Sequence, residues 1–163
     1  MANCTRTGVH FHTEENRLIG NRGGLSRENK VYNNIFFNTG DSSVNFENEH
    51  NEADGNVYAG PRGGYLRVLT PGRPELLDVG AARDYHGWEK NGRAGTVQAT
   101  LDPDKLVLTF SIEGDIPKVK TFNATSIMTD FFGTPTGDAR VPGAFADLSQ
   151  PFTAKSIDPR GVR

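Results

Sequence analysis

Apolar residues run in stretches of four to eight, and the clearest of them alternate with polar ones. Val9-His10-Phe11-His12 and Val44-Asn45-Phe46-Glu47 both have the two-residue period of a half-buried strand. Val9, Phe11, Val44 and Phe46 are expected to face one way, and His10, His12, Asn45 and Glu47 the other. The runs "NNIFF" at 33–37 and "GNVYA" at 55–59 also read as short strands led by asparagine. Past residue 60, "YLRVLT" reads as a strand and "TVQATLDPDKLVLTFSIEGD" as two strands turned by Asp102-Pro103-Asp104. "VKTFNAT" reads as a further strand, and one short helix is expected around Ala81 to Glu89.

These pieces align with one another. Val31 to Phe37 superposes on Ala53 to Ala59 at an offset of 22 residues, which puts Asn34 on Asn56, Ile35 on Val57 and Phe36 on Tyr58. Val9 to His12 superposes on Val44 to Glu47 at an offset of 35. The difference assigns extra residues to the first copy, within "TEENRLIGNRGGLSREN", read as a long charged loop with bendable glycines. A unit of this size cannot bury its own apolar face, so copies are expected to stack into a continuous core. The plainer alternative is two unrelated β-hairpins.

The "GVHFH" and "SSVNFE" strands, with "NNIFF" and "GNVYA" carrying Asn34 and Asn56 as ladder positions, resemble the right-handed parallel β-helix of pectate-lyase-like, carbohydrate-active proteins. "DYHGWEKNG" and "DFFGTPTGDARVPGAFADL" are similar to the segments that close the last coils of such enzymes. The resemblance implies an all-β chain, with right-handed parallel β-helix coils over residues 1–60 and a β-rich carboxy-terminal cap over 61–163 packed on them. It implies a poly- or oligosaccharide partner. The chain would then be a glycosidase-like portion of an enzyme that degrades plant or microbial polysaccharide. The rival is a non-catalytic carbohydrate-binding or assembly module lacking the catalytic coils. Relatives carry many coils before the cap, so a carboxy-terminal portion of a longer, exported protein is expected, or an unusually short relative. An open first coil exposing Val9 and Phe11 favours a homo-oligomer.

Composition adds bounds. A chain of 163 residues is one domain's worth, and 19 Gly and 9 Pro agree with a turn-rich, β-rich fold. A net charge of -2 with both signs interspersed gives no footprint for nucleic acid or an anionic membrane. There is no apolar run of transmembrane length, and "MANCTRTGVHFH" has no signal-peptide core. The single cysteine, Cys4, excludes an intrachain disulfide.

Candidate chemistry follows from the register. Neighbouring strands lie roughly 4.8 Å apart, so His12 is expected within hydrogen-bond reach of Glu47. Glu47 is the candidate acid or base and His12 its partner. Glycoside hydrolysis needs a second carboxylate about 5 to 9.5 Å away, for which Glu14 or Glu15 is the candidate. His10, Asn45, Arg17 and Trp88 are candidate sugar-binding residues, although Trp88, the only tryptophan and in a turn-rich region, better suits a plug for the apolar end of the last coil. "FENEHNEAD" clusters Glu47, Glu49, Glu52 and Asp54 as a cation site would, but matches no defined loop and reads as a bend. His10 with His12 and His50 could suggest zinc, but two alternating histidines on a strand are a weak signal without a third ligand placed in sequence. No metal or cofactor is assigned. A nucleophile elbow, a Walker sequence, a dinucleotide fingerprint and a paired CxxC are all missing.

Overall fold

Short β-branched and aromatic runs punctuated by Gly, Asn and Asp favour brief strands. The computed structural model describes residues 6–20, 22–24, 26–60, 65–70, 73–114, 116, 118–120, 129–158 and 160, and at 14–19, 22–23, 73, 120 and 152–154 the backbone alone. The first sixty residues hold β1 (Thr7–Phe11), β2 (Glu14–Ile19), β3 (Arg22–Gly24), β4 (Lys30–Tyr32), β5 (Ile35–Phe37), β6 (Ser42–Phe46), β7 (Glu52–Asp54) and β8 (Val57–Ala59). Next come β9 (Leu66–Thr70), β10 (Arg73–Leu77), α1 (Val79–His86) and β11 (Arg93–Ala94). The chain ends with β12 (Val97–Asp102), β13 (Val107–Ile112), β14 (Val119–Lys120), β15 (Ala139–Arg140) and β16 (Phe152–Ser156). Among the described residues the architecture is all-β with one short helix.

Both registers expected from the sequence occur, residue for residue. β1 runs parallel to β6 with Val9 opposite Val44 and Phe11 opposite Phe46. β4 pairs in parallel with β7, placing Val31 on Ala53, and β5 with β8, placing Ile35 on Val57 and Phe36 on Tyr58. Two hairpins would have given antiparallel neighbours, so that alternative is excluded for these strands. The parallel stacking also continues beyond Gly60, where the sequence reading stops it. β9 lies parallel to β6 with Leu66 on Val44 and Val68 on Phe46, and β11 lies parallel to β8. Residue types change at these positions while the register persists. β10 then folds back antiparallel on β9, so the four-stranded sheet β1-β6-β9-β10 is mixed.

The apolar faces form one stack. Phe11, Phe46 and Trp88 are in ring contact at centroid distances of 5.4 and 5.3 Å, and Phe36 lies flat on Tyr58 at 5.3 Å. Val44, Phe46, Leu66 and Val68 are fully buried with them. Beside this core the asparagines form ladders. Asn34 donates from its backbone and side-chain amides to Asn56 Oδ1 at 2.8 and 3.1 Å, and Asn29 does the same to Asn51 Oδ1, both at 2.9 Å. Each rung satisfies polar groups that burial would otherwise leave costly.

The helix begins two residues before its expected start and ends three residues early. Asp78 caps it by accepting from the Ala81 amide at 2.7 Å, and Gly87, at φ 67°, takes the left-handed conformation that terminates it. The Asp102-Pro103-Asp104 turn does join two antiparallel strands, β12 and β13, to which β16 adds. Val97, Phe110, Val141 and Leu148 bury against Val57 and Ala59, which ties this antiparallel sheet to the parallel one. Of the expected strand "VKTFNAT", Val119–Lys120 forms β14 and the remainder lies outside the described residues.

Candidate functional site

His12 and Glu47 each follow directly on the last residue of β1 and β6, and because these strands are parallel the two ends lie on the same side. His10 stands two residues before His12, so both rings leave the same face of the strand. The outcome is one carboxylate between two imidazoles. His10 Nε2 is 2.9 Å from Glu47 Oε1, and His12 Nδ1 is 2.8 Å from the same oxygen. An ionised carboxylate only accepts, so each ring donates from the nitrogen that faces it. The Thr13 backbone N–H donates to the other oxygen, Oε2, and fixes the plane of the carboxylate.

The electrostatics follow. Partial burial raises the Glu47 pKa, but the Thr13 amide and the hydrogen bonds from His12 and His10 outweigh it, so the carboxyl sits below its ordinary value. Glu47 is therefore ionised at neutral pH. It is 14% exposed, whereas His10 and His12 are 44% and 59% exposed. The donor atoms of the three side chains all lie within 4.8 Å of one another, close enough to share a metal ion.

No family model, no curated protein and no solved structure matches this chain. Geometry alone carries the functional reading.

Several expectations about the site change. Glu14, Glu15 and Arg17 do not lie on a loop. They form part of β2, which pairs antiparallel with β3 around Gly20 at φ 63°, and their side chains lie outside those described. Asn45 faces the same side as His10 but is only 6% exposed, because β6 is an interior strand and Asn45 is flanked in register by His10 and Arg67. That burial removes it as an open sugar contact. Trp88 is 6% exposed, with Phe46 against its edge and His86 stacked on it at 4.5 Å, so it acts as the core plug. The nearby exposed ring is Tyr85, beside a 610 Å³ groove lined by Pro74, Glu75, Leu76 and His86.

The acidic run does not gather on one ion. Glu47 turns to the histidines, Glu52 pairs with Lys30, and Asp54 accepts from the backbone and side chain of Asn91 at 2.8 Å each. His50 takes no part in the His10–His12 cluster, whose third member is Glu47. The residue that sequence reasoning missed is Glu89. It is fully buried, its Oε1 accepts from Asn56 Nδ2 and from Tyr58 OH at 2.6 Å each, and its Oε2 accepts from the Asn56 amide at 3.1 Å. Burial pushes its carboxyl up to about 7. Glu89 thus occupies the rung after Asn34 and Asn56, at a position that β9, β10 and α1 separate from them in sequence.

Proposed function

We propose that the chain is a carbohydrate-active protein of parallel β-helix type, and that Glu47 is its base, oriented by His10 and His12. The observation that supports this reading is the single ionised carboxylate held by three donors at the ends of two stacked parallel strands. Ionised at neutral pH, it can accept a proton or face a developing positive charge but has none to donate, and the lowered pKa makes it a weaker base than an ordinary carboxylate. His10 and His12, exposed on the same face, present polar edges to a sugar hydroxyl. Residues on the outward side of parallel strands fall in a row, the form of surface along which an extended chain can lie.

Turnover on a panel of plant and microbial polysaccharides, read as new reducing ends or new unsaturated ends, tests this. Glu47→Gln keeps the shape of the side chain and removes its basicity, so turnover should fall at least about a hundredfold, within the range of a lost general base. Unchanged turnover removes Glu47 from the reaction.

A second reading has its own support. β1 is the outer strand of its sheet and pairs on one side only among the described residues, with Val9 and Phe11 part-buried at that edge. Such an edge accepts another strand. On this reading the chain binds saccharide without turning it over and assembles as a homo-oligomer through β1. Retention on immobilised polysaccharide without product, together with a concentration-dependent mass, would favour it.

A further inference from the structure

We propose that His10, His12 and Glu47 form a binding site for one divalent transition-metal ion, of the Zn²⁺ and Co²⁺ class. The site uses the residues of the carbohydrate reading but does not depend on sugar chemistry, and with the ion bound Glu47 serves as a ligand in place of the base proposed above.

Two imidazoles and one carboxylate suit borderline metals, where Mg²⁺ and Ca²⁺ prefer oxygen alone. Zn–N and Zn–O bonds of about 2.0–2.2 Å hold neighbouring donors roughly 3.3 Å apart at tetrahedral angles. The observed separations from Glu47 Oε1 are 2.9 Å to His10 Nε2 and 2.8 Å to His12 Nδ1. Both contacts to Oε1 lie within about half an ångström of that spacing, and the two histidine nitrogens, which lie within 4.8 Å of each other, close on a shared ion by rotation of two exposed rings. On binding, the proton now on the facing nitrogen of each ring is given up, and a neutral ring carries its proton instead on His10 Nδ1 or His12 Nε2.

Two further features favour the site. The Thr13 N–H already occupies Glu47 Oε2, which leaves Oε1 as the ligand atom and supplies the outer-shell bond that orients metal-binding carboxylates. Next to His10 in register, Asn45 keeps a buried side-chain oxygen with no hydrogen-bond partner among the described residues. Three protein ligands leave positions for water or a substrate oxygen, as catalytic rather than structural sites do.

The test is calorimetric titration of the chelator-stripped chain with Zn²⁺ alone, and with Co²⁺ alone followed by its visible absorption. One ion per chain is expected, with Mg²⁺ and Ca²⁺ failing to compete at equal concentration. His10→Ala and His12→Ala should each weaken binding by more than the 10- to 100-fold typical of a lost outer-shell partner. Both positions are exposed, and circular dichroism verifies that the variants keep the fold. Absence of saturable binding, or affinity that survives either substitution, overturns the proposal. Stoichiometric metal binding without polysaccharide turnover would uphold this site while counting against the carbohydrate reading.

Discussion

Two glutamates, each held by three donated hydrogen bonds, behave in opposite ways. Glu47 sits at the rim of the parallel strands with its donors partly wet, and the Thr13 amide and two histidines keep it ionised. Glu89 sits at the end of the asparagine ladder, its donors are the neutral Asn56 and Tyr58, and complete burial outweighs them, raising its pKa to about 7. A shifted pKa is a hint of function in general. Here the larger shift marks structure, because the fold already consumes every contact Glu89 makes. The smaller shift marks the group that a ligand can reach.

The sharpest way to break this contrast is Glu89→Ala. It orphans two donors of Asn56 and the Tyr58 hydroxyl in the core, and should cost about 4 kcal/mol of unfolding free energy in urea denaturation. A loss below about 1 kcal/mol would mean that Glu89 does not bind the ladder together. Next in size is pH. Because the folded pKa of Glu89 lies above the unfolded value of 4.5, its contribution is fully present below that value and is lost as pH rises through about 7. Stability should therefore fall by up to about 3 kcal/mol between pH 5 and pH 8, a trend that Glu89→Ala abolishes. Gly92→Ala sharpens the same point with a smaller effect. A Cβ there would lie 1.8 Å from Glu89 Oε2, so the carboxylate must move, at a cost of about 1–3 kcal/mol in thermal unfolding. Glu47→Gln should change stability least, by less than about 1 kcal/mol, while removing turnover and weakening metal binding. The acid side has the opposite sign. Glu47 contributes stability above its ordinary value of 4.5, and this is lost as pH falls through its lowered pKa.

The parallel registers were legible because they are local patterns: alternation in "VHFH" and "VNFE", and an asparagine before "IFF" and "VYA". From the 35-residue offset alone, His12 lands beside Glu47, and the structure agrees. Burial was less legible, since it depends on what lies on either side of a strand. Asn45 alternates like an exposed residue, yet its neighbours in β1 and β9 cover it. The Asn29–Asn51 rung repeats at the same 22-residue spacing, but neither residue leads an apolar run, so nothing local announces it. Glu89 was illegible for a third reason. "WEKNG" reads as a solvated turn after a helix, and only the return of the chain to Asn56 turns its side chain into the next rung.

Carboxyl-carbon NMR titration, following the two glutamates in one experiment, tests the central claim most directly. The account predicts a midpoint near 7 for Glu89 and one below 4.5 for Glu47, with the latter rising toward 4.5 in both His10→Ala and His12→Ala. A Glu47 midpoint at or above 4.5 that neither histidine substitution moves would contradict the oriented, ionised carboxylate on which the site depends.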